Sequence, residues 1–371
     1  MLLRERNVHG GNYNDKGYVD MSVNINPFGT PEKVMNAMQE ALGEVGAYPD
    51  THCNELVAKL SRKVALPREC IICGNGAAEL IYNYAAALGP GAEALIYAPA
   101  FAEYERALLA YGVNVNYHIL DERHGFKMQM RDIDEAEIAH ADAVFICMPS
   151  NPAGQIIERS VLESLLCACE RNHTRCLLDM CFYELTTDYN ECFPIYLVNQ
   201  YSTMCLLSTF TKTYAIPGVR IGYILSHDTQ MMRLMSQRQQ CWNVSVIAQR
   251  AGIACLECSK DYANASRAYI DKEREYIYNN LLELVDKVYK SDANYILFYD
   301  KYITSQMFNE YGIQIRNCFD YMGLEMGYYR VCVGKHDDNV KFIEALKDIK
   351  EKRQEHGGEK SETNYDSGNH V

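Results

Sequence analysis

Between about residues 70 and 226 the chain alternates short, uninterrupted apolar runs with longer amphipathic stretches. The runs are CIIC (70–73), ALIYAP (94–99), AVFICMP (143–149), CLLDM (176–180), MCLLST (204–209) and RIGYIL (220–225). A run without polar alternation describes a strand covered on both faces. The stretches between, such as AAELIYNYAAAL (77–88) and RSVLESLLCACER (159–171), carry helical spacing. This order predicts an α/β domain around a mainly parallel sheet, with ligands at the carboxyl ends of its strands.

The pattern changes after about residue 245. A long helical stretch is followed by strand-like pieces (NYILFY, IQIRNC, YYRVCV) and a last helix near 337–350. We therefore expect a large domain over 46–245 and a small α+β domain over 246–351. Residues 1–45 should form an arm that joins the small domain or a neighbouring subunit. The tail 352–371 is polar with almost nothing to bury, so it is expected to be disordered.

Charge and composition narrow the function. With 36 basic against 49 acidic residues the net charge is -13, the wrong sign for a general nucleic-acid or anionic-membrane binder. The start, MLLRERNVHGGN, has no apolar signal region, and no uncharged apolar run reaches the roughly 18 residues of a membrane helix. The expectation is a cytoplasmic protein. Fifteen cysteines then read as reduced, mostly buried thiols. The pairs Cys70/Cys73 and Cys255/Cys258 lie too far apart for a usual zinc site, so packing is their expected role and no metal is expected.

The most informative stretch is TFTKTYAIPGVRIGY (209–223), a loop between two apolar strands. A lysine there, Lys212, can lose its proton and attack an aldehyde as a free amine. Thr209, Thr211 and Arg220 can together cup a phosphate. One aldehyde and one phosphate suit pyridoxal 5'-phosphate. Alone, the segment also reads as a surface loop with a solvated lysine. Four other strand ends add to it. Asp179 closes CLLD, where a carboxylate can pair with a protonated pyridine nitrogen; a helix cap is the plainer alternative. Asn151 in SNPAG (150–154) can donate to the ring oxygen O3', although Asn-Pro also simply starts turns. In GNGAAEL (74–80) the backbone N–H groups of Asn75, Gly76 and Ala77 can face a phosphate at a helix start. Phe101 in PAFAEY (99–104) can stack on the ring, or equally pack the core.

In that order these segments resemble the class I/II aminotransferase superfamily of pyridoxal-phosphate enzymes, fold type I, over about residues 9–350. The resemblance implies a large domain with a seven-stranded sheet, a small domain built from both chain ends, and a homodimer with active sites at the subunit interface. It makes Lys212 the covalent anchor of the cofactor, Asp179 the ring-nitrogen carboxylate, Asn151 the O3' donor and Arg220 a phosphate ligand. Tyr48 in AYPD (47–50) would reach the neighbour's cofactor phosphate.

Two branches of the family compete, the histidinol-phosphate aminotransferases and the threonine-phosphate decarboxylases of cobalamin synthesis. HGGN (9–12), SVNINPFGTP (22–31), TKTYAIPGVRIGY and IRNCFDYMGLEMGYYRV (315–331) look more like the decarboxylases. So does Phe182, where the aminotransferases usually carry a tyrosine. The departures are Asp179-Met180-Cys181 in place of Asp-Glu-Ala, NPAG for NPTG, and Gly334 where the decarboxylases carry a second basic residue. The implied substrate is a small phosphorylated amino acid, O-phospho-L-threonine. Arg316 and Arg330 would be its anion hooks, while His9, Asn12 and Asn26 would close the site from the N-terminal arm.

Overall fold

The structure, a computed structural model, describes residues 10–11 and 17–356. Among these, thirteen strands run in chain order: β1 (Val19–Asp20), β2 (Ile71–Gly74), β3 (Glu93–Ala98), β4 (Asn114–Ile119), β5 (Ala143–Cys147), β6 (Arg175–Asp179), β7 (Met204–Thr209), β8 (Gly222–Ser226), β9 (Lys287–Val288), β10 (Tyr295–Tyr299), β11 (Ile313–Gln314), β12 (Arg316–Asn317) and β13 (Tyr328–Cys332). The α-helices are α1 (Glu32–Ala41), α2 (Asn54–Val64), α3 (Gly76–Leu88), α4 (Glu103–Ala110), α5 (Glu135–His140), α6 (Arg159–Arg171), α7 (Cys192–Gln200), α8 (Thr229–Arg238), α9 (Val246–Leu256), α10 (Lys260–Leu284) and α11 (His336–His356).

Seven strands form the large sheet, in the order β2-β8-β7-β6-β5-β3-β4. Strand β8 is antiparallel to both its neighbours, and the other pairs are parallel. The continuous apolar runs follow from burial on both faces. In β5, Val144 and Ile146 enter one core while Ala143, Phe145 and Cys147 enter the other. Edge strand β4 escapes that signature: NVNYHI pairs only with β3 and is half-exposed along its length. That is why no apolar run marks it.

The small domain is a four-stranded sheet, β12-β13-β10-β9, under α10 and α11. Its core gathers Ile270, Ile277, Phe298 and Phe342, and Met21 of the N-terminal arm joins it. Helix α9 packs on α1 and α2, whereas α10 packs on β9, β10 and α11. Helix α11 continues to His356, with Lys352 paired to Asp348 at 2.9 Å and the Arg353 guanidinium over the Tyr302 ring. Residues 357–371 lie outside the described range. Cys73 and Cys255 sit in the large core, and Cys70 Sγ lies 3.4 Å from His227 Nδ1.

Candidate active site

The register of the sheet brings the chemistry to one edge. Asp179 ends β6 opposite Cys147 at the end of β5, and Thr209 ends β7 opposite Gly222. Gly74 ends β2 beside the same Gly222, and α3 starts two residues later. Ala77, Phe101, Asn151, Asp179, Thr209, Thr211, Lys212, Arg220, Arg316 and Arg330 all line a single cleft of about 250 Å³. A roomier cavity of about 590 Å³ under Tyr183, Tyr214 and Tyr223 shares none of those ten.

Lys212 stands at the centre. Burial lowers its amine from 10.5 to about 8; Arg330 and Arg220 push the same way, while Cys181 and Asp179 oppose. Its Nζ lies 5.4 Å from the Phe182 ring centroid. Near neutral pH an appreciable share of the amine is unprotonated and nucleophilic. The loop carrying it is held from outside the sheet: the Asn26 N–H donates to the Lys212 carbonyl at 3.2 Å. The Asn26 side chain donates to the Thr213 carbonyl at 2.8 Å and to Ser266 Oγ at 2.8 Å. Asn26 therefore buttresses the lysine loop and is not among the residues that line the cleft.

Asp179 is buried, and its carboxylate is already oriented. Tyr104 donates its hydroxyl to Oδ2 at 2.6 Å, and the Cys181 N–H donates to Oδ1 at 2.9 Å. Burial and the Asp179 charge push the Tyr104 phenol well up, so it stays a donor. Each carboxylate oxygen keeps a lone pair for a further N–H.

The phosphate corner combines the start of α3 with the lysine loop. Arg220 has a left-handed backbone (φ 61°) and donates Nη1 to the Pro217 carbonyl at 3.0 Å. Its guanidinium lies against Gly76, where a Cβ would come within 2.4 Å of Nη2. Gly76 also has φ 79°, so only glycine serves there without strain. Two expected donors drop out. The Asn75 N–H is taken by the Glu79 carboxylate. Thr209 donates its hydroxyl to the Ile221 carbonyl at 2.6 Å and fixes the Thr211 N–H at 3.2 Å. The Gly76 and Ala77 N–H groups, Thr211 and Arg220 remain.

At the opposite end stand the two arginines. Arg330 donates Nη1 to Asn151 Oδ1 and Nη2 to the Ser22 carbonyl at 2.9 Å. Its Nε is buried without a partner, and it forms no ion pair among the described residues. By occupying Asn151 Oδ1 it leaves the amide nitrogen of Asn151 to donate. Arg316 instead forms a buried ion pair with Asp320 at 2.7 Å.

Tyr48 does not line this cleft; it is 79% exposed and stacks on Trp242. His9 and Asn12 lie outside the described residues. The residues not foreseen are Tyr104, Tyr321 and Asn24. Tyr104 sits in the same PAFAEY segment as Phe101, and its contact with Asp179 joins separate strand ends, so only the fold reveals it. The Tyr321 hydroxyl lies 3.3 Å from Arg330 Nη1, and Asn24, which lines the cleft, has a buried Oδ1 with no partner.

The donor set fits pyridoxal phosphate: an amine of lowered proton affinity, an oriented carboxylate, a ring at Phe101, and a glycine-cleared corner holding an arginine. The comparisons with known proteins agree. The aminotransferase class I and II family model matches residues 16–346. A threonine-phosphate decarboxylase from Salmonella typhimurium is 32% identical over 357 residues, 92% of this chain and 96% of its own. A histidinol-phosphate aminotransferase from Methanococcus aeolicus is 27% identical over 358 residues, 93% and 94% respectively. The crystal structure of the histidinol-phosphate aminotransferase from Clostridium acetobutylicum superposes with a TM-score of 0.83 at 29% identity, covering 90% of this chain and 99% of that one.

Proposed function

From the premise that this chain belongs to the class I and II aminotransferase family and depends on pyridoxal phosphate, we propose that it decarboxylates O-phospho-L-threonine to 1-aminopropan-2-ol phosphate. When bound, the cofactor supplies an aldehyde that bonds amines and a protonated ring that draws electrons from the amine's α-carbon. The chain's own residues do the rest. Lys212 anchors the cofactor, gives way to the substrate amine, and then holds or returns a proton at the α-carbon through Nζ. Asp179, steadied by Tyr104, keeps the proton on the ring nitrogen. Asn151 donates to the ring oxygen. Gly76, Ala77, Thr211 and Arg220 would hold the phosphate, and Phe101 would supply an apolar surface for the ring. Arg330, a buried cation without a carboxylate partner among the described residues, would take the substrate carboxylate.

Loss of carbon dioxide and loss of the α-proton would use this same machinery, and they would differ in which α-carbon bond Arg330 and its neighbours orient for cleavage. The observation that carries the choice is Phe182. Its ring, with no hydroxyl, borders the cleft beside Lys212, packed edge-on against Tyr295 at 5.2 Å. The 32% identity to the Salmonella decarboxylase over nearly the whole chain supports the same choice. The second reading is a histidinol-phosphate-type aminotransferase, supported by the likeness to the Clostridium enzyme. The assembly we propose is a homodimer. Leu42, Val45, Tyr48 and Trp242 are exposed, and Tyr48 stacks on Trp242; Tyr48 from one subunit would reach the other's cofactor phosphate. The test is product analysis with O-phosphothreonine, with and without 2-oxoglutarate, alongside histidinol phosphate. Carbon dioxide release independent of 2-oxoglutarate supports the decarboxylase; amino transfer from histidinol phosphate overturns it.

A further inference from the structure

Resting on the phosphoamino-acid reading above, we infer that Asp320 sets the substrate preference of the cleft by acting through Arg316. The two cleft arginines are in opposite electrostatic states. Arg330 is buried with no acidic partner among the described residues, its donors directed to Asn151, Tyr321 and the Ser22 carbonyl. Arg316 is equally buried, yet it is paired at 2.7 Å with a carboxylate that is itself 1% exposed. The other oxygen of that carboxylate, Oδ1, is buried without a partner among the described residues. Asp320 is therefore compensated chiefly by Arg316, and Arg316 by Asp320.

Arg316 still lines the cleft and holds one Nη1 proton on the Asn317 carbonyl, and the Tyr321 ring lies 5.3 Å from its guanidinium carbon. It can turn its remaining N–H groups to a ligand. A ligand there meets an arginine backed by a negative charge. A dianion feels that charge twice over, a monoanion once and a neutral group hardly at all, and in this water-poor setting the difference is not screened away. Asp320 thus weakens the grip on phosphate more than the grip on a carboxylate. The phosphate is the group that substrate and product share, so this weakening promotes release of a product that has lost only its carboxylate. Asp320 touches no substrate atom and is a positioning residue.

Asp320→Asn keeps an acceptor for Arg316 and removes the charge. In the holoenzyme, the KM for O-phosphothreonine and the inhibition constant of inorganic phosphate should each fall about tenfold. Inhibition by unphosphorylated L-threonine should change less than about twofold, and kcat should hold or drop as product leaves more slowly. Asp320→Glu, with the charge restored, should return phosphate inhibition toward wild type. Equal changes for threonine and phosphate, or weaker phosphate inhibition in the Asn variant, would show that Asp320 merely orients Arg316 and would overturn the inference. Should the Asn variant not fold, Arg316→Gln/Asp320→Asn removes both charges together. Phosphate inhibition within about threefold of wild type then supports the charge account, and phosphate inhibition weakened by about tenfold or more overturns it. The substrate reading fails separately. If wild type neither processes nor is inhibited by O-phosphothreonine while calorimetry shows tighter inorganic phosphate in the Asn variant, the inference stands and that reading falls.

Discussion

At the cofactor end of the cleft, nearly every working side chain comes from a strand end or adjoining turn of one sheet: Asp179 after β6, Thr211 and Lys212 after β7, Ala77 after β2, Arg220 before β8. At the substrate end, Arg316 and Arg330 come from adjacent strands of the small domain and are opposite each other in register. The contacts of Arg330 reach Ser22 in the arm and Asn151 in the large domain. One end is fixed by local sequence and the topology of a single sheet. The other exists only when three remote segments meet. A change at the cofactor end should therefore alter chemistry on every substrate, and a change at the substrate end should alter choice among substrates.

The sharpest break of the cofactor end is Lys212→Ala. Without the amine, turnover should fall on the order of a thousandfold or more, for all substrates alike. The fold should survive, because removing a buried amine removes a desolvation cost. Borohydride reduction of the native holoenzyme should attach the cofactor to the peptide containing Lys212. The pH dependence has a definite sign. With the amine lowered to about 8, the apoenzyme should capture pyridoxal phosphate about tenfold faster per pH unit up to that value, and no faster above it. A rise continuing toward 10.5 would mean an ordinary, solvated lysine.

Arg330→Ala tests the other end. Loss of a charge-assisted contact inside a buried site costs roughly 2–5 kcal/mol. We expect kcat/KM to fall accordingly for any amino acid with a free carboxylate, phosphorylated or not. Cofactor absorbance should be retained. If cofactor binding falls as steeply as activity, Arg330 acts mainly by holding Asn151, and the two ends are not separable.

This contrast also explains what the sequence disclosed. The large sheet was legible because burial on both faces writes continuous apolar runs, and β4 was missed because an edge strand needs none. Lys212, Asp179, Asn151 and Arg220 stand out as candidates because each stands at or beside the end of a sheet strand, and the four line one cleft. The Asn75 N–H and the Thr209 hydroxyl donate to Glu79 and Ile221, contacts that spacing cannot reveal. The Tyr104–Asp179 bond and the Arg316–Asp320 pair belong to the same class. In the second case the partners are four residues apart, but a chain that turns between β12 and β13 gives no periodicity from which to read them.

Gly76→Ala probes the phosphate corner at a smaller scale. The new methyl would sit 2.4 Å from the Arg220 guanidinium, at a backbone of φ 79° that a side chain adopts only with strain of about 1 kcal/mol or more. Arg220 must swing away. We expect cofactor affinity to weaken by about tenfold or more, measured by fluorescence titration of the apoenzyme, while kcat at saturating cofactor changes little. An unchanged affinity would move the phosphate corner away from Gly76 and Arg220.

Tyr104→Phe should have the smallest effect, and it asks how much orientation alone contributes at the cofactor end. The variant keeps the ring, which packs at 5.7 Å from Phe145 and 5.8 Å from Phe101, and deletes only the hydroxyl that donates to Asp179 at 2.6 Å. A hydrogen bond to a charged group contributes roughly 1.5–3 kcal/mol, but the Cys181 N–H still holds the other oxygen. The carboxylate should therefore stay in place with less precise aim, and kcat should drop about tenfold with KM nearly constant for every substrate. Asp179→Asn, which removes the carboxylate charge itself, supplies the upper bound. If Tyr104→Phe instead raised KM for phosphorylated substrates alone, the hydroxyl would belong functionally to the substrate end, and the division between the two ends would have to be redrawn through α4.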